Sequence, residues 1–196
     1  MKLTDEKLKT MLAFVFKNKD QILSLADYFD PSDIENGKLN IPDYMVNVGL
    51  KDKILNIEQA KAYLKDYTVL FQNDCIMLDL RINIKQLGPI AAKYLISIKD
   101  FKFGDGNSKL YATFKEDVTS LGNVMQSMAL KALMGNGTCL QKVIQLVNCE
   151  FIYVDGHNLM IDLGKIDIIN KVSDIFELNY IGSNDGQIKF SFYYCG

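Results

Sequence analysis

The sequence predicts an α+β fold, a long, curved, mostly antiparallel sheet wrapped around a central apolar helix, with N-terminal helices. Three observations carry that expectation. Cys75–Lys85 alternates cleanly, with Ile76, Leu78, Leu80, Ile82 and Ile84 on one parity and Asp79, Arg81, Asn83 and Lys85 on the other. That is a strand with one buried and one wet face, the habit of antiparallel sheet. Apolar runs flank Asp105-Gly106, Asp155-Gly156 and Asp185-Gly186, with a looser relative at Asn36-Gly37. Asp-Gly supplies the positive φ that tight hairpin turns require. Finally, Asp117–Met134 is apolar over well over half of its circumference when plotted as a helix.

Length and composition set the frame. A chain of 196 residues with 48% hydrophobic and 23% charged residues is one large domain or a domain with a small appendage, and is not disordered throughout. The net charge of -2, without any basic stripe, argues against nucleic acid. The first residues show no secretory signal and no apolar run reaches the ~18 residues of a membrane span, so a soluble, cytoplasmic protein is expected.

Taken in order, Thr4–Lys17 and Asp20–Phe29 have helical spacing, and Asp30-Pro31 stops the second. Residues 32–42 form a turn-rich connector. Residues 1–50 are therefore expected to form a helical cap or extension, and residues 51–196 the main domain. Asn56–Asp66 is predicted as a helix, with Asn56 as N-cap and Gln59 completing a capping box. Thr68–Phe71, Cys75–Lys85 and Ile90–Phe103 follow as strands. In the last, Ile96 and Ile98 share one parity but Phe101 and Phe103 the other, which predicts a β-bulge near Lys99-Asp100.

Lys109–Lys115 is the return strand. Asp117–Met134 is predicted as the principal helix, capped by Asp117 and ended by Gly135-Asn136-Gly137. Its large apolar residues are Val118, Leu121, Val124, Met125, Met128, Leu130, Leu133 and Met134. At roughly 1.5–3 kcal/mol per buried side chain, such a helix is expected to be packed between layers or to face a partner or ligand. Thr138–Val147 is a second helix, Glu150–Leu163 a hairpin, Ile168–Val172 a short helical connection, and Phe176–Tyr194 a closing hairpin.

Chemistry-bearing constellations are scarce. The turn aspartates read as hairpin residues. The chain has one histidine, His157, beside a turn glycine, and no G-x-S-x-G, P-loop, G-x-G-x-x-G or calcium-loop pattern. Cys75, Cys139, Cys149 and Cys195 form no C-x-x-C pair, so no metal site is expected and the thiols read as free, a Cys139–Cys149 bridge requiring an oxidising compartment. No cofactor and no catalytic residue is assigned, and the protein is expected not to be an enzyme. Asp79 and Arg81 read as a solvated charge pattern. Met125, Met128 and Met134 carry more: methionine lines ordinary cores, and it also lines adaptable apolar surfaces.

The order of elements over Ile57–Tyr194 resembles the tubular lipid-binding (TULIP-type) superfamily. The segments that carry the resemblance are ILNIEQAKAYLKDYTVLFQNDCIMLDLRINI, AKYLISIKDFKFGDGNSKLYATF and SDIFELNYIGSNDGQIKFSF. The resemblance implies a curved sheet around a helix and an acyl-chain tunnel, with no motif to transfer residue by residue. A helix-grip lipid-binding fold is similar in pattern. The chain departs from envelope-anchored bacterial members in showing no export signal and in its N-terminal helices. The expected function is a non-enzymatic binding protein for a lipid or other apolar ligand, held by Leu78, Leu80, Leu121, Met125, Met128 and Leu133 between helix and sheet. The alternative is a protein-interaction module, an adaptor or immunity-type inhibitor, without a small ligand.

Overall fold

The computed structural model describes residues 26–58, 60–85, 87–104, 106–135, 137–166 and 176–194, with single helical positions at Lys9, Ala13, Lys17, Asp20, Ile169 and Ser173. Apart from those positions, the helices expected at Thr4–Lys17 and over most of Asp20–Phe29, and the connection at Ile168–Val172, lie outside the described residues. The described chain is an α+β fold with two antiparallel sheets.

Six strands form the larger sheet. They are β2 (Leu64–Gln72), β3 (Cys75–Ile84), β4 (Gly88–Lys102), β5 (Lys109–Ser120), β6 (Ile152–Asp155) and β7 (Asn158–Asp162), in the order β2-β3-β4-β5-β7-β6. The smaller sheet has the order β1-β9-β8, with β1 at Lys38–Pro42, β8 at Phe176–Asn184 and β9 at Gln187–Tyr194. β1 pairs with β9 from Lys38↔Ser191 to Pro42↔Gln187. The division expected at residue 50 is therefore crossed by a strand ladder that joins residues 38–42 to the end of the chain.

Period-2 alternation places the core. The row Tyr67, Leu80, Ala92, Val118 runs across β2 to β5 on the inner face of the large sheet. The small sheet covers one end of that face, where Ile188 and Phe190 meet Tyr67, Val69 and Phe71. Two helices cover the other end: α3 (Val124–Met134) and α4 (Cys139–Leu146), packed on Ile82, Ile84, Leu87 and Ile90. The shorter α1 (Pro31–Glu35) and α2 (Lys51–Leu55), with a π-helical turn at Met45–Gly49, precede the large sheet.

The parity switch in β4 is a β-bulge at the predicted place. Ile98 pairs with Ala112 and Asp100 with Tyr111, leaving Lys99 extra. One inserted residue returns Phe101 to the inner face, where its ring lies 5.2 Å from Phe190. The turns differ in kind. Asp185 and Gly186 are both left-handed, at φ 52° and 75°, and join Asn184 to Gln187 as a type I′ turn. At the next one only Gly156 is left-handed, φ 56°, and Asp155 is a strand residue paired with Asn158. Asn36-Gly37 ends α1 instead of turning a hairpin, with the Gly37 N–H donating to the Ile34 carbonyl.

Two helix starts correct the sequence expectation. Asn56 is the C-cap of α2, its N–H donating to the Asp52 carbonyl while the Ile57 N–H donates to that of Ile54, and β2 already begins at Leu64. Asp117 is not a cap either. β5 continues to Ser120 because β4 offers it a ladder partner at every step, from Lys93↔Asp117 to Ile90↔Ser120. The helix starts seven residues later than expected.

The β2 edge of the large sheet is closed by side chains. The register turns the backbone groups of Tyr67, Val69 and Phe71 outward. The Asn47 amide meets both groups of Val69, donating to its carbonyl at 2.7 Å and accepting from its N–H at 2.8 Å. Lys51 donates to the Tyr67 carbonyl and pairs with Asp66 at 2.6 Å; that hydrogen bond holds the Asp66 carboxyl below its ordinary pKa. Gly186 donates to the Phe71 carbonyl. Unpaired edges are templates for aggregation. Asn47→Ala is expected to cost about 1–3 kcal/mol through the orphaned Val69 groups and to raise self-association, read by urea denaturation and sedimentation velocity. Unchanged values in both would show that the Asn47 amide is dispensable.

Candidate functional site

The site is built on α3. Ser120-Leu121-Gly122 ends the strand, and Asn123 caps the helix. The Asn123 side chain accepts from the Gln126 N–H at 3.0 Å, while the Gln126 side chain accepts from the Asn123 N–H at 3.0 Å, a reciprocal capping box. Met, Ala, Leu and Lys are good helix formers and carry the helix to Gly135.

At 100° per residue, Leu130, Leu133 and Met134 fall on one arc. Leu130 is buried, and Leu133 and Met134 pack half-buried beside it on the cluster of Ile82, Ile84, Ile90 and Cys139. The opposite arc holds Val124, Met125, Met128, Ala129 and Ala132, all exposed, with Lys131 at its margin. Val124 is 75%, Met125 80% and Met128 66% exposed, and Leu121, just before the helix, 50%. Apolar residues thus occupy both sides of α3, one side spent on the core and the other facing solvent.

The six residues expected to line a ligand site do not converge. Leu78 and Leu80 are half-buried on the inner face of β3, packed into the clusters around Tyr67 and Tyr94. Leu133 is packed in the core at the other end of that face. Leu121, Met125 and Met128 point away from the sheet. Among the described residues α3 is anchored by one side, and the expected sheet wrapped around a central helix is not confirmed. The eleven residues of α3 sit at one end of the inner face, and the small sheet fills the rest. Concavities at the β2–β3 turn, on the open face of the large sheet, and beside α4 take no lining residue from α3. Val124, named among the apolar residues of the helix, is the exposed one absent from the six expected to line the site. The signal was present in the Asn123-to-Gln126 spacing of a capping box, which sets the helix phase.

A sheet-to-helix staple holds the neighbouring α4. Glu116 lies on the inner face of β5 and accepts from the N–H groups of Cys139 and Leu140 at 2.7 and 3.1 Å. Thr138 caps the same helix by accepting from Gln141. Burial pushes the Cys139 thiol up to about 11, with Glu116 adding to the shift, and burial raises the neighbouring Tyr94 hydroxyl as well. Both groups stay protonated and inert near neutral pH.

Elsewhere the chemistry is sparse. His157 is an exposed turn residue whose ring meets Phe114 edge-on at 5.7 Å. Cys75, Cys139 and Cys149 are free thiols. Among the described residues, no group of three or more His, Cys, Asp or Glu could hold a metal ion, and no helix is long and apolar enough to cross a membrane. Compared with known protein families, with characterised proteins and with solved structures, the chain matches none of them.

Proposed function

We propose that the protein is a non-enzymatic interaction module that engages an apolar surface of a protein partner with the outward face of α3. The observation that carries this is the contiguous exposure of Leu121, Val124, Met125 and Met128 on one side of a capped helix. Isolated exposed apolar residues are ordinary; a contiguous set marks an interaction surface. The two methionines favour an adaptable contact, because an unbranched thioether fits surfaces of varied shape. The capping box and the Leu130 anchor fix the helix, so little ordering is required on binding.

A second reading keeps the apolar ligand or lipid but moves it outside, onto the same face. It is favoured by the charge pattern: the outward arc has no acidic residue, and Lys131 is its one charge. An acyl-chain tunnel has less support, since the space between α3 and the sheet is taken by Leu130, Ile82, Ile84 and Ile90.

The test is the double variant Met125→Glu, Met128→Glu. Its unfolding free energy is expected to stay within about 0.5 kcal/mol of the parent per substitution, because the positions are exposed. Native purification with mass spectrometry is expected to recover one stoichiometric protein partner with the parent, reduced at least tenfold with the variant. Co-extracted lipid or vesicle binding lost in the variant would favour the second reading. A partner retained undiminished by the double variant, or no partner and no lipid with the parent, would overturn the assignment of this face.

A further inference from the structure

The two edges of the large sheet are treated differently, and the difference points to a second binding site. β2 is closed by Asn47, Lys51, Asp66 and Gly186. β6, at the other edge, has no such closure among the described residues. Its pairing with β7 includes Asp155↔Asn158 around a two-residue turn, and Asp162 donates to the Phe151 carbonyl at 2.8 Å. Hydrogen-bonded pairs alternate in an antiparallel ladder. Phe151, Tyr153 and Asp155 therefore bond to β7, and the N–H and C=O groups of Ile152 and Val154 point outward. No described residue donates to or accepts from those outward groups.

Beside this open edge runs α4. Between them is a groove of about 380 Å³ lined by Gln141, Ile144 and Gln145 from the helix and Ile152, Tyr153 and Val154 from the strand, with Asn148 and Cys149 closing one end. The lining carries no charge. Exposed carboxylates stand at its two ends, Glu150 and Asp155. Lys165 lies on the open face, its amine donating to the Tyr153 hydroxyl and to the Glu150 carbonyl.

We propose that this groove accepts an extended peptide segment as a seventh strand, paired with Ile152 and Val154. The occupant is a peptide with a neutral, alternately apolar centre and basic flanks. The backbone geometry sets its conformation. Residues two apart on a strand are about 6.6 Å apart, so Ile152 and Val154 together offer two donors and two acceptors at strand spacing. Alternate side chains of the added strand would face the inner side, against Ile144 and Gln141, which selects apolar residues there. The carboxylates of Glu150 and Asp155 at the ends select lysine or arginine. Edge strands that must remain free are commonly protected by charge, proline or cover; Ile152–Val154 carries neither charge nor proline, and no described residue bonds to its outward groups. This site is separate from the outward face of α3 and does not rest on it.

The test uses the full chain and the probe peptide acetyl-Lys-Val-Thr-Val-Ser-Lys-amide, followed by amide NMR and hydrogen exchange. In the free protein, the Ile152 and Val154 amides are expected to exchange at least tenfold faster than those of Tyr153 and Asp155. With millimolar peptide they are expected to gain at least tenfold protection, with shift changes confined to β6 and α4. Val154→Pro removes an outward donor without removing a ladder bond and is expected to weaken binding at least tenfold. Gln145→Trp fills the groove from an exposed position and is expected to do the same, which keeps the test decisive if the proline variant misfolds. The α3 double variant is expected to bind the peptide as the parent does. No shift change up to millimolar peptide would overturn the proposal. So would Ile152 and Val154 amides already protected in the free protein, by another segment of the chain or by a second copy pairing β6 to β6.

Discussion

Leu130→Ala is expected to destabilise the protein by about 2–5 kcal/mol, while Met128→Ala, two residues away on the same helix, is expected to change stability by less than about 0.5 kcal/mol. Leu130 is 3% exposed and touches the cluster of Ile82, Ile84, Leu87, Ile90 and Cys139. Truncating it removes the transfer free energy of the side chain and leaves a cavity that the sheet cannot close. Met128 is 66% exposed and leaves no cavity. Urea denaturation measures both. A cost for Met128→Ala above about 1 kcal/mol would mean that the outward arc is covered in solution, by another copy or by a further part of the chain. The comparison thus reports on folding and on the availability of the proposed interaction face at once.

Glu116→Ala is expected to cost about 3 kcal/mol, more than any other single capping change among the described helices. Each bond from a backbone N–H to a carboxylate is worth about 1.5–3 kcal/mol, and this carboxylate accepts two, from Cys139 and Leu140. It also stands at a helix N-terminus, where a negative charge is favoured. Both bonds are partly buried, with buried Tyr94 beside Glu116 and Cys139, so water cannot readily replace the lost oxygen atoms. Glu116→Gln keeps one acceptor and is expected to lose roughly half as much. Because α4 is one wall of the groove beside β6, the alanine variant is also expected to weaken the probe peptide, and the glutamine variant less so. Equal stability of all three proteins would show that Thr138 alone suffices as the cap of α4.

Much of the sheet was legible in the sequence because its signals are local. The alternation of Cys75–Lys85 gave the two faces of β3, and the shift of parity after Ile98 located the bulge at Lys99. The closing hairpin followed from the matched period of Phe176–Tyr180 and Ile188–Phe192, together with Asp185-Gly186. Thr138 and Gly135 marked helix ends by chemistry that acts within one turn. The site was less legible. Leu121, Met125 and Met128 were singled out as apolar, but hydrophobicity does not distinguish a residue that is packed from one that waits for a partner.

The chain by itself determined the alternation of β3, the bulge of β4, the closing hairpin, and that α3 carries apolar residues on two sides. Those properties follow from side-chain period, backbone sterics and short-range hydrogen bonds. Only the tertiary structure decided how long β5 is, because residues 117–120 obtain their ladder from β4, far back in sequence. It also decided that Asn47, 22 residues before Val69, closes one sheet edge, while no described residue closes the β6 edge. Last, it decided that Leu130 packs inward and Met128 faces out, since a helix with apolar residues on two sides must be oriented by the surface it meets.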